Sequence, residues 1–385
     1  MSYLRCLCSV TQVLMVWERQ LTTPSAQQQK SKELILFWLN SLRLRQFSYS
    51  FRLVQAQLKA AGMPSASGWD SLFEKYQALK YSEIDCTLYL NTVIEIYKNS
   101  LISSNAAIWL YEAPVESISA ISTWAQKLIN KKSVFAKTFP HPVEDEELNL
   151  APFNGEFINF ETLSNGDLVF YSCAKRAFRH RESIEVDQLE VPARKALIGY
   201  DEVFGIKSGF TQAYDRVVVR IESGLMELHI DMCCPLAADD LHQIQVYYTE
   251  KFKVFLKSLT CSFLWLNQSK NLFPKITELY NAVDGQIIAL GHSTSTKSIK
   301  EERMRNRRQD LRVETFHREG INAIPSTDLY SIKKGWTMSG WSHVPAVLIP
   351  GKASSAGAVG SSVRHALIEA CATPEDFEFV VQKLL

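Results

Sequence analysis

The 385-residue chain predicts an α+β protein: a helical N-terminal region followed by a mixed α/β body with antiparallel β-hairpins. Three observations carry that expectation. Apolar residues recur at helical spacing through residues 1–135. The dipeptides Asn165-Gly166 and Ser223-Gly224 sit between extended runs, where hairpin turns belong. An acidic, proline-bearing stretch, "TFPHPVEDEELNLAPFNGE" (138–156), separates the two regimes.

In the first region, "SKELILFWLNSLRL" sets Leu34, Phe37, Trp38, Ser41 and Leu42 on one helical stripe, with Ser31 as its N-cap. "SYSFRLVQAQLKAAG" follows with Phe51, Val54, Gln55 and Leu58, and Gly62 as the stop. "GWDSLFEKYQAL" restarts the period with Trp69, Leu72, Phe73, Tyr76 and Leu79. Two further helical stretches, "LYLNTVIEIYKNSL" and "VESISAISTWAQKLI", flank a short strand-like "AAIWLYEAP".

Beyond residue 156 the pattern changes. A two-residue turn at Asn165-Gly166 places Phe160 opposite Tyr171 and Ile158 opposite Cys173. In "RVVVRIESGLMELHID" a turn at Ser223-Gly224 sets Arg220 against Glu227 and Arg216 against Asp231. That leaves a charged, wet side and an apolar side of Val217, Val219, Met226, Leu228 and Ile230. Residues 235–259 read as an amphipathic helix, burying Leu241, Ile244, Tyr248, Phe252, Phe255 and Leu259. "GQIIALGHS" and "DLRVETFH" read as strands, "PGKASSAGAVGSS" as a mobile loop and the C-terminal stretch as a helix. The expected division is a helical domain (1–137), a linker (138–156), hairpins plus helix (157–280) and an α/β region (281–385) able to pack with the preceding one.

Composition sets bounds on function. Hydrophobic residues make up 46% and charged residues 22% of the chain, ordinary for a globular protein. The net charge of +1 leaves electrostatic function to local asymmetry. The eight cysteines contain no CxxC pair, which fits free thiols and a cytoplasmic location. "CLCSVTQVLMVW" (6–17) makes a poor export signal and reads as a buried N-terminal element. No run reaches the roughly 20 apolar residues of a membrane span, so no membrane partner is expected.

Chemistry-bearing motifs are weak. Glu227, His229 and Asp231 share one strand face, but alternate residues stand about 7 Å apart, too far to share one ion. Cys233 and Cys234 with His242 lack zinc-site spacing. "LIPGKASSAG" has Ala346 and Ala353 where a phosphate loop needs Gly and Ser or Thr, and no GxSxG elbow occurs. Asp310, Glu314 and His317 offer acid, base or metal ligands for a metal-dependent nuclease, yet on a regular strand Glu314 and His317 point to opposite faces. No metal, cofactor or catalytic residue is therefore assigned. Residues 51–79 resemble a DNA-reading helix pair in spacing, but Trp69, Phe73 and Tyr76 are needed for packing and Lys75 is the second helix's only base.

Arginine gives the clearest asymmetry. Residues 1–135 carry 14 Lys/Arg against 9 Asp/Glu, and 136–165 carry 1 against 6. Within 297–318 there are 8 bases and 4 acids, a net of +4 in 22 residues. Read as a helix over 300–309, that segment has only Met304 and Leu311 to anchor it. It would then present Arg303, Arg305, Arg307, Arg308 and Arg312 outward. A second knot, "AKRAFRHR", adds Lys175, Arg176, Arg179 and Arg181. The planar guanidinium fork suits phosphate and stacking contacts. The expectation is a non-catalytic nucleic-acid-binding protein, for DNA or RNA, within a larger complex. A protein scaffold docking an acidic partner is the alternative, and the acidic run 144–147 is a further possible match inside the chain.

Overall fold

A computed structural model describes residues 24–385; the stretch 6–17 lies outside them. Ten strands form one antiparallel sheet in the order β2-β3-β4-β5-β1-β10-β9-β8-β6-β7. They are β1 (Ala106–Glu112), β2 (Glu156–Thr162), β3 (Leu168–Ser183), β4 (Phe204–Arg220), β5 (Leu225–Asp231), β6 (Gln286–Thr294), β7 (Ile299–Arg303), β8 (Thr327–Gly335), β9 (Ala346–Ile349) and β10 (Ala366–Glu369). The α+β class stands, with a helical N-terminal part and then a mixed body. Strand β1, from within the helical part, sits mid-sheet between β5 and β10.

Helices α1 (Pro24–Leu44), α2 (Phe51–Ala60), α3 (Trp69–Ala78) and α4 (Cys86–Ser103) pack on the face that carries Val169, Tyr171, Cys173, Tyr214 and Val218. The opposite face, with Phe170, Val217, Val219, Met226 and Leu228, is covered by α5 (Val115–Trp124) and by α9 (Ala238–Ser258). Between these helices come α6 (Val134–Thr138), α7 (Asp145–Leu150) and α8 (Val191–Ala196). In the second half, α10 (Phe273–Asn281) and α12 (Pro374–Gln382) pack with Ile287, Ile332, Val347 and Ile368. Helix α11 (Thr315–Asn322) lies between β7 and β8 in the chain.

Local departures from the sequence expectation have local causes. Among the described residues helix α1 already runs from Pro24, ahead of Ser31, and it buries Ile35, Trp38, Leu39 and Leu42 while Phe37 faces outward. The run 138–156 is not a bare linker, because α7 buries Leu148 against the first core. The first hairpin pairs Phe160 with Phe170 and Thr162 with Leu168, one residue off the expected register. Its loop takes three residues, Ser164 to Gly166, because Leu163 pairs with Asp167 and Gly166 adopts φ +88°, as a type I turn closed by a left-handed residue requires.

The second hairpin slides by two, pairing Val217 with Leu228 and Arg216 with His229. Asp167 Oδ1 accepts the Ile221 N–H, which takes Ile221 out of the ladder and lengthens the loop. A shift of two keeps every side chain on its expected face. That face is not wet, however. Arg216, Arg220, Glu227, His229 and Asp231 are all buried, under α4 and α12. Burial alone would raise the Glu227 carboxyl, but His229 and Arg220 outweigh it and hold the group below its usual range.

Strands β3 and β4 pair along their whole length, from Leu168–Val219 to Ser183–Phe204. Pairing with β2 ends at Glu156 opposite Cys173, and β5 ends at Asp231. Residues 175–183 and 204–212 therefore project past the sheet as a two-stranded arm roughly 30 Å long.

Phe252 is fully buried and meets Phe157, Phe170 and Phe255 edge-on. Phe252→Ala is expected to cost about 3–5 kcal/mol, read from urea unfolding. A loss under 1 kcal/mol would mean that α9 is not seated on this sheet.

Candidate nucleic-acid interface

The segment expected to be an arginine-bearing helix is instead the edge strand β7 followed by a pinned loop. Residues 299–303 alternate against β6, with Glu302 opposite Leu290 and Arg303 opposite Ala289. Beyond them, Met304 N–H donates to the Ile288 carbonyl. Asn306 Oδ1 then accepts the Arg308 N–H at 3.0 Å, an Asx turn that competes with helix. Gln286 Nε2 holds the Arg307 carbonyl at 3.2 Å, and Asp310 accepts the Ile287 and Arg312 N–H groups. Buried Leu311 closes the loop. With its backbone fixed at both ends and the middle, the loop turns Arg303, Arg305, Arg307 and Arg308 outward, all exposed. "DLRVETFH" is likewise not a strand, but a single 3-10 turn leading into α11.

Arg305, Arg307 and Arg308 line a cleft of about 890 Å³ together with Arg52, Ser50 and His343. Among the described residues, none that lines it is a carboxylate. His343 Nε2 meets Asp376 at 2.7 Å, and that carboxylate also takes the Ala372 N–H, so it is engaged behind the wall. Arg308 donates to the Trp341 carbonyl at 3.0 Å, which orients the guanidinium without neutralising it. Among the described residues, no carboxylate forms an ion pair with Arg303, Arg305 or Arg307, and the acidic run 144–147 supplies none. Arg52, on the first turn of α2, is the arginine that sequence reading missed. It is an ordinary exposed position of an amphipathic helix, and nothing local links it to residue 305.

Three of the other cations singled out from the sequence, Arg312, Lys175 and Arg176, are structural, as is Lys334, which the sequence did not single out. Arg312 pairs with Asp310 at 2.8 Å and donates to the carbonyls of Tyr280, Ala282 and Gly285. Lys334, fully buried, donates to Leu279 and Ala282 carbonyls and to Asp284. Together these two cations satisfy the carbonyls at the C-terminus of α10, where positive charge is favoured. Arg176 is buried and donates from Nη2 to both Asp215 oxygens, and Lys175 donates to the Asn149 carbonyl between the rings of Phe153 and Phe210. They line a separate cavity of about 370 Å³ whose wall also holds Asp215 and Asp240. Neither presents free charge.

Arg179 and Arg181 are exposed on the projecting arm, and Arg181 lies 3.6 Å over the Phe204 ring. Eight strand steps separate β3 from β7. Even so, the arm and the arginine loop issue from the same end of the sheet. Residues 47–53 run between them: Phe47 packs on Phe178 of the arm, Ser48 takes the Asn105 N–H, and Ser50 and Arg52 line the cleft.

The acid and base candidates do not assemble as the sequence implied. Asp310 and Glu314 are helix caps, accepting from Arg312 N–H and His317 N–H respectively. His317 instead turns to Glu302, whose other oxygen meets His292. Glu227 binds His229 and Arg220, while Asp231 pairs with Arg45. Those three residues form a charge network, not a ligand set.

Arg312→Ala should cost about 2–4 kcal/mol, because it takes the cation from Asp310 and the side-chain donor from the Tyr280 and Gly285 carbonyls, while Lys334 still serves Ala282. Arg305→Ala and Arg307→Ala should stay within about 0.5 kcal/mol. Denaturant midpoints distinguish the two cases. Asp284 is held down to about 2, first by Lys383 and then by Trp336 and Lys334, against modest burial. A depressed carboxylate stabilises above its unfolded pKa and loses that contribution as pH falls through the folded one. Asp284→Asn should thus lower Tm at neutral pH, and the difference should shrink from about pH 4 to vanish near pH 2. No protein-family model matches the chain and no curated protein is significantly similar to it, so the functional reading rests on these residues.

Proposed function

We propose that the protein is a non-catalytic, cytosolic nucleic-acid-binding protein, a subunit of a larger complex, that holds DNA or RNA in the cleft lined by Arg52, Arg305, Arg307 and Arg308. The observation that carries this reading is the 890 Å³ cleft on whose wall the described residues place four arginines and no carboxylate, in a chain whose net charge is only +1. A local excess of guanidinium groups, each free to form a fork with phosphate, favours a phosphodiester backbone over a point anion. Arg303 extends the positive strip at one lip. Arg179 and Arg181 extend it along the arm.

Exposed rings accompany the arm's arginines. Phe47, Phe204 and Phe210 are each about two-fifths exposed; Phe204 lies under Arg181, Phe47 packs on Phe178 next to Arg179 in the chain, and Phe210 packs on Lys175. Aromatic faces interleaved with cations are how single strands are held without base-edge readout. This favours single-stranded nucleic acid and modest sequence preference.

Four phosphate contacts predict a log Kd against log salt slope of about 3 for single strands, at about 0.7 per contact. Arg305, Arg307 and Arg308 changed together to Glu should abolish binding in fluorescence anisotropy, with the circular dichroism spectrum and Tm kept. Wild-type affinity in that triple variant, or equal binding to an acidic peptide, would turn the reading toward a protein partner.

A further inference from the structure

We infer that His292, Glu302 and His317 form a binding site for one divalent transition-metal ion of the zinc class, clamping the base of the arginine loop. The three residues come from three elements: β6, β7 and α11. His292 Nε2 lies 2.7 Å from Glu302 Oε1, and His317 Nδ1 lies 3.0 Å from Glu302 Oε2. All three ligand atoms fall within 4.8 Å of one another. Zinc binds imidazole nitrogen and carboxylate oxygen at about 2.0–2.2 Å, so tetrahedral ligand atoms stand about 3.3 Å apart. The two contacts to Glu302 need to lengthen by about half an ångström or less to reach that spacing, and the two imidazole nitrogens already lie within 4.8 Å of each other.

The surroundings suit a metal site. Both imidazoles are buried, while Glu302 is partly exposed, which leaves an approach from the β7 edge and a fourth position for water. Metal-bound histidine usually gives its other ring N–H to an acceptor that fixes its orientation. The Tyr280 hydroxyl is 3.0 Å from His317 Nε2 and serves that role. His292 donates its Nε2 proton to the Glu302 carboxylate, and its Nδ1 is buried with no hydrogen-bond partner, so Nδ1 is the vacant nitrogen that takes the proton when Nε2 turns its lone pair to the ion. Two neutral imidazoles and one carboxylate form a three-ligand set that suits zinc and its neighbours rather than magnesium or calcium. On binding, each ring proton moves to the ring's other nitrogen, and the carboxylate exchanges two hydrogen bonds for the metal.

Position gives the site its consequence. Glu302 precedes the arginine loop and His317 follows it, so one ion would tie both flanks to β6. The inference stands apart from what the cleft binds.

The test uses the full chain with Zn²⁺ alone, and Co²⁺ as its spectroscopic stand-in. After equilibration and desalting, about one equivalent of metal per chain is expected, together with the visible bands of a four-coordinate Co²⁺ complex. Trypsin cleavage at Arg305, Arg307 and Arg308 should slow several-fold in the presence of Zn²⁺. Glu302→Gln and His317→Gln should each lower retention at least tenfold and abolish the protection. Glu314→Gln, at the carboxylate next to His317 that only caps α11, should change neither. Circular dichroism confirms that each variant is folded. If folded wild-type protein retains no metal, Glu302 is only a bridge between two histidines and the inference falls. Retention undiminished in both ligand variants would overturn it equally.

Discussion

Strand β1 is the seam on which the architecture depends. On one side it pairs with β5 over seven residues, Ala106–Asp231 to Glu112–Leu225. On the other it meets β10 through only three pairs, Ala106–Ile368 to Ile108–Ala366. Remove that junction and the sheet separates into two five-stranded halves. Asn105, just before the strand, reinforces the short side. Its N–H donates to Ser48, its carbonyl accepts from Met232, and its side chain accepts the Ala370 N–H. One residue thereby ties the helical layer, the end of β5 and the end of β10 together. The cleft forms at this same end, from α2, the arginine loop and the turn after β10.

A sheet covered on both sides has no wet face for the charges that its strands carry. Arg45 with Asp231, Arg176 with Asp215, and Arg220 with Glu227 and Glu378 are consequently paired inside the protein. Such pairs contribute little net stability against apolar packing, because desolvation offsets the attraction. Their better-supported role is to penalise wrong register: a slip would strand a buried charge. That logic fits the second hairpin, which departs from the simplest turn by two residues yet keeps Arg220 on Glu227.

The same accounting separates cations that serve the fold from those that face outward. Arg312, Lys334, Lys175 and Arg176 all spend their donors on carbonyls or carboxylates of the chain. Arg52, Arg305, Arg307 and Arg308 surround a large open space whose wall, among the described residues, carries no acid. A chain near neutrality can thus hold a local positive field, because its acids are concentrated elsewhere, on α7 and within the buried pairs.

Element type was legible from the residues alone wherever a short-range rule governed it. Helical spacing located α1 to α5 and α9, and glycine at Gly166 and Gly224 marked both hairpins. What failed were properties decided by partners distant in sequence. Alternation showed that Arg216, Arg220, Glu227 and Asp231 share a face, but only the helices packed over it decide that the face is dry. Arginine spacing over 303–312 could not separate Arg312, which caps α10, from Arg305 to Arg308, which cap nothing. Likewise, His317 lay near Asp310 and Glu314 in the chain, whereas the pairing of β6 with β7 and the docking of α11 delivered it to Glu302 and His292. Local chemistry thus determined most of the helices, both hairpins and the existence of an arginine surplus, but not the strand and loop at 299–309 or the helix begun at Thr315. Tertiary packing alone decided which charges were consumed and which ligands met, because contact between residues far apart in sequence depends on strand order, and no short-range rule encodes that.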